Sequence, residues 1–68
     1  MKNQIRALRQ QRRISQEELA WAVGTTRQTI TSIETGKYTA SLPLAYKIAR
    51  YFGLTIEQVF DFSEVDEP

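Results

Sequence analysis

At 68 residues with no cysteine and no histidine, the chain lacks a disulfide, the usual zinc ligands, and any thiol or imidazole for nucleophilic or acid–base chemistry. A core of this size seldom supplies more than about 3–5 kcal/mol unaided, so a second copy of the chain is the staple that remains. The formal charge of +1 hides a polarity, because residues 1–37 carry seven basic and three acidic side chains while residues 38–68 carry two and five; a basic half suits a polyanion.

Ile5 and Leu8, with Arg12 one turn on, predict a first helix over 3–12. Its break falls at Arg13-Ile14. Ser15 then caps a second helix over 16–23, and "SQEE" reads as a capping box in which Glu18 reaches back to the cap. Leu19, Ala20 and Val23 form its inward stripe, and Gly24 stands where a left-handed residue ends it. Thr26 caps a third helix over 27–35, with Ile30 and Ile33 inward and Gly36 closing it.

Ser41 caps a fourth helix over 42–52, with Pro43 in the first turn where a missing N–H does no harm. Ala45, Ile48, Ala49 and Phe52 line its inner face, and Gly53 ends it. Thr55 caps a fifth helix over 56–60 that turns Ile56, Val59 and Phe60 inward. In the tail, 61–68, the alternation of Phe60 and Phe62 predicts a short strand over 60–63, followed by an acidic, fraying 64–68. The expected class is all-α: one four- to five-helix domain over 1–68, with a short C-terminal β-strand as an addition.

Two capped helices joined by a turn at Gly24 make a helix-turn-helix. With Ile30 and Ile33 facing the core, Arg27, Gln28, Thr31 and Ser32 spread over the remaining faces of the third helix. Arg and Gln each make paired hydrogen bonds to base edges in the major groove, and Thr and Ser add short polar groups or a methyl. The helix starts at Ser15-Gln16 and Thr26-Arg27 suit phosphate. The bland reading, a solvated surface, loses weight once cap, glycine and isoleucine spacing are taken together.

The sequence resembles the lambda-repressor-like regulators of the phage repressor/Cro type. "ISQEELA", "TTRQTITSIETGK" and "SLPLAYKIARYFG" look like the family's signatures for helices two, three and four, in order and spacing, and the likeness covers about residues 3–60. The resemblance implies a dimer on a roughly palindromic operator and cytoplasmic control of transcription, without cofactor or metal. It gives Gln16 and Lys37 phosphate contacts, sets Thr26 at the boundary of base and backbone, and sends Arg27, Gln28 and Ser32 to base edges. Thr31 is added to the base readers, and Thr29 and Tyr38 to the backbone contacts. Arg9 and Glu34 match a family pair that forms a partly buried salt bridge. Three departures stand out: Thr25 where valine is common, "KYTAS" in place of an Asn-Pro loop, and Trp21 where a charge is usual.

Arg6, Arg12 and Arg13 read as solvated or steering charges. Trp21 either packs over the first helix near Leu8 or Arg12, the preferred reading, or offers a partner a small apolar spot. Tyr51, Leu54, Phe60 and Phe62 exceed what a small core needs and are assigned to a dimer interface that sets two third helices about 34 Å apart. The leading function is sequence-specific binding of double-stranded DNA, with repression by blocking polymerase as the simplest mechanism. The alternatives are an antitoxin that also binds a toxin protein, and a helical interaction module; an enzyme and a membrane role are not expected.

Overall fold

The computed structural model describes residues 1–66. Six helical segments follow one another: α1 (Ile5–Arg12), α2 (Gln16–Val23), α3 (Arg27–Glu34), α4 (Leu42–Tyr51), α5 (Ile56–Val59) and α6 (Ser63–Asp66). Four of the starts follow one rule. The hydroxyls of Ser15, Thr26, Ser41 and Thr55 accept from the backbone N–H three residues on, at 2.9 to 3.3 Å. Each such cap is worth about 1 kcal/mol. The reciprocal box expected at Ser15 is only half made, since exposed Glu18 does not return to the cap. The full box is at Thr55, whose N–H donates to Gln58 Oε1 at 2.9 Å.

α1 begins two residues later than its apolar spacing predicts, because Asn3 is engaged elsewhere. Its backbone pairs with Phe60 in an isolated antiparallel bridge, flanked by Gln4 N–H to Val59 O at 2.8 Å and Asp61 N–H to Lys2 O at 2.9 Å. That bridge replaces the strand expected over 60–63. The partner segment is too short to extend it, and Asp61 Oδ1 accepts from Ser63 N–H at 2.9 Å, turning the chain into α6. Helix therefore runs through 63–66 where fraying was expected; 67–68 lie outside the described residues.

α1 and α2 end alike, on left-handed residues. Gly24 (φ 75°) lets Thr25 N–H reach Ala20 O at 2.9 Å, and Arg13 (φ 56°) lets Ile14 N–H reach Arg9 O at 3.1 Å. Glycine takes this conformation freely; arginine does so at some cost.

The core gathers one stripe from every helix through α5. Ile5, Leu19, Ile30, Ile33, Ile48 and Val59 are fully buried, joined by Ala20, Val23, Ala45, Ala49, Phe52 and Phe60. Two residues depart from expectation. Arg12 is not simply solvated: its guanidinium donates to Tyr51 O at 3.1 Å and Phe52 O at 2.9 Å, satisfying carbonyls that the end of α4 leaves unpaired. Trp21 does not pack over α1; it is 86% exposed. It follows Leu19 and Ala20 on α2, and a full turn of helix has only one core-facing stripe to fill.

Candidate nucleic-acid interface

α3 owes its orientation to two isoleucines. Ile30 and Ile33 are 0% and 2% exposed, which fixes the helix against the core and leaves Arg27, Gln28 and Thr31 in solvent. Thr26 Oγ1 accepts from Thr29 N–H at 3.2 Å and lies 2.9 Å from Thr29 Oγ1, so two hydroxyls cluster at the helix start. Behind α3 the chain doubles back, with Lys37 N–H and Tyr38 N–H both donating to Ser32 O at 2.9 and 3.2 Å. Thr26, Gln28, Thr29, Ser32 and Tyr38 thereby line one shallow cleft of about 300 Å³. Arg27 opens onto a second, of about 340 Å³, with Arg9, Ser15, Gln16 and Glu17. Lys37 is exposed but lines neither cleft.

The start of α2 is joined to α3 by a polar chain. Arg9 Nε donates to Glu34 Oε2 at 2.6 Å and Arg9 Nη2 to Oε1 at 3.1 Å, with the two side chains 12% and 4% exposed. Arg9 Nη1 also donates to Ile14 O at 3.0 Å, so one guanidinium ties α3 to the α1–α2 turn. Gln16 is more committed than a simple phosphate contact: its Nε2 donates to Glu34 Oε1 at 3.2 Å and its Oε1 accepts from Thr31 Oγ1 at 3.0 Å. Planar, paired contacts of this kind hold the angle between helices as well as their separation.

The four residues assigned to a dimer interface differ in exposure and in the clefts they line. Phe60 is only 4% exposed, taken into the core behind the Asn3 bridge, and has little surface for a second chain. Tyr51, half-buried under Arg12, lines a cleft with Trp21 and Ala22. Leu54 is half-buried against the core. Phe62 lines a separate apolar hollow of about 140 Å³ with Leu42, Ile56 and Phe60. Three exposed apolar side chains, Leu42 (72%), Tyr46 (55%) and Val65 (64%), went unnoticed in the sequence. Leu42 and Tyr46 are four apart and off the inward stripe of α4, a spacing that could have revealed them.

No helix is long and apolar enough to cross a membrane among the described residues. The chain is similar along most of its length to proteins named as uncharacterised HTH-type transcriptional regulators. One, from Methanocaldococcus jannaschii, is 47% identical over 64 residues, 94% of this chain and 97% of the relative. Another, from Archaeoglobus fulgidus, is 50% identical over 64 residues, covering 94% and 90%. A Bacillus subtilis relative is 47% identical over 64 residues, covering 94% and 97%. The protein-family model described as helix-turn-helix matches residues 5–59, the stretch from the start of α1 to the end of α5, and the chain belongs to that family.

Proposed function

We propose that this chain is a sequence-specific regulator of transcription that binds double-stranded DNA as a homodimer, each α3 entering the major groove of one half of a two-fold symmetric operator. One observation carries the reading: burial of Ile30 and Ile33 turns Arg27 and Gln28 outward at the first turn of a capped helix. Arg27, Gln28, Thr31 and Ser32 then read bases. Gln16, Thr26, Thr29, Lys37 and Tyr38 hold the backbone. The relatives named as transcriptional regulators support the same reading. Repression by occlusion of polymerase, in the cytoplasm, is the simplest mode of action.

A second copy would remove from water exposed apolar groups such as Leu42 and Tyr46, one turn apart on α4. Selection of bound duplexes from random DNA tests the whole proposal. A two-fold consensus is expected; equal retention of all sequences would refute it. Trp21, beside a cleft of about 610 Å³ with Glu17, Glu18 and Tyr51, favours a second reading in which the chain also docks a protein, as an antitoxin does. A helical adaptor without DNA-binding activity would show no salt-dependent affinity for any duplex.

A further inference from the structure

The polar chain beneath α3 fixes where one hydrogen atom goes. Glu34 is held by Arg9 through both carboxylate oxygens, and Oε1 also faces Gln16 Nε2 at 3.2 Å. Only the NH₂ end of an amide suits a carboxylate oxygen, so Glu34 sets the orientation of the Gln16 side chain and turns its Oε1 towards Thr31, 3.0 Å away. A carbonyl oxygen accepts and never donates. The Thr31 hydroxyl must therefore donate. Its other neighbour, Arg27 O at 3.1 Å, is a second acceptor. With two acceptors inside the protein and a single hydrogen to give, the hydroxyl keeps none for a ligand.

We infer that Thr31 disfavours guanine at the base it faces, because its oxygen offers the groove lone pairs but no donor. The inference rests on the reading of α3 as the major-groove helix. Adenine and cytosine each offer an amino donor that complements that surface. On the guanine side of a G·C pair, N7 and O6 are both acceptors, and they meet lone pairs. The Arg27 carbonyl and the Gln16 amide, itself oriented by Glu34, take the hydrogen that Thr31 would otherwise offer the base.

The test is selection from randomised duplex DNA with two full-length proteins, wild type and Thr31→Ala. The wild type should yield a consensus with one position at which guanine is excluded, and that exclusion should vanish in Thr31→Ala. Placing guanine there should weaken the wild type about tenfold, within the usual cost of one mismatched pair, and leave Thr31→Ala nearly unaffected. Guanine at the Thr31-dependent position, or a consensus untouched by Thr31→Ala, would overturn this inference while the DNA-reading proposal stood. A flat selection by the wild type would overturn both.

Discussion

The Arg12 guanidinium lies 5.1 Å from the centre of the Phe52 ring and donates to the carbonyl of the same residue at 2.9 Å, so the last turn of α1 closes the last turn of α4. Charge-assisted hydrogen bonds to a helix end combine here with cation–π contact. Arg12→Ala should cost about 1 kcal/mol, scaled down from the usual value of such bonds because the group is exposed. Arg12→Lys should recover only part of it, since an ammonium cannot span two carbonyls as a planar fork does. Urea denaturation of both variants checks this; equal stability of Arg12→Ala and wild type would return Arg12 to the solvated charges.

Arg9 and Glu34 behave differently because they are shielded. Removing one partner strands the other, and Arg9→Ala should destabilise by about 3 kcal/mol. The double change Arg9→Met with Glu34→Leu should restore much of that loss, because two apolar groups of similar bulk leave no buried charge. Thermal melts of the three proteins decide between a pair retained for stability and one retained for helix orientation.

On DNA, Gln28 and Lys37 should separate cleanly. Gln28→Ala is expected to lose about 1–3 kcal/mol on the preferred site and relax choice at one base pair. Lys37→Ala should weaken all duplexes alike and reduce the salt slope by about one unit. Gel shifts across a salt series report both; a uniform loss for Gln28→Ala would show that it does not read.

Trp21 contributes little to the fold. Being 86% exposed, it can be replaced by serine with a stability change within about 0.5 kcal/mol, as for other surface positions. A large drop in the melting temperature of Trp21→Ser would mean that the ring is buried in solution, against its partner copy or its own chain.

Asp61 links the turn at α6 to pH. Its carboxylate accepts from the Ser63 backbone N–H and then from the Ser63 hydroxyl, which together hold its pKa below the 3.8 of a free aspartate. A depressed folded value means that the contribution is present at neutral pH and fades as pH falls through that acidic range. The Ser63 amide resonance should move with the Asp61 carboxyl over that window, and Asp61→Asn should abolish the dependence.

The parts of the fold that were legible in the sequence are those specified locally. Ser15, Thr26, Ser41 and Thr55 each carry their own start signal, and Gly24 its own stop. The outward aim of Arg27 and Gln28 followed from the spacing of Ile30 and Ile33 on the same helix. What escaped notice depends on distant partners. Nothing about Arg13 announces a left-handed conformation, and nothing near Arg12 announces the end of α4, 39 residues away. Phe60 looked surplus until Asn3 closed over it. The Gln16–Glu34 contact arises only where α2 and α3 cross, and no periodicity in either helix encodes it.

Asn3 is where these separate pieces meet. It bridges to Phe60, accepts from Ile5 N–H at 3.2 Å to begin α1, and donates from Nδ2 to Ile33 O at 2.9 Å within α3. Just ahead of it, the Met1 carbonyl lies 3.6 Å from the place a Cβ would take at Gly36. Any peptide fused before Met1 must therefore leave past the C-terminal end of α3. An amino-terminal purification tag is not an innocent addition to this molecule, and binding measured with one in place reports on the tag as well as the protein.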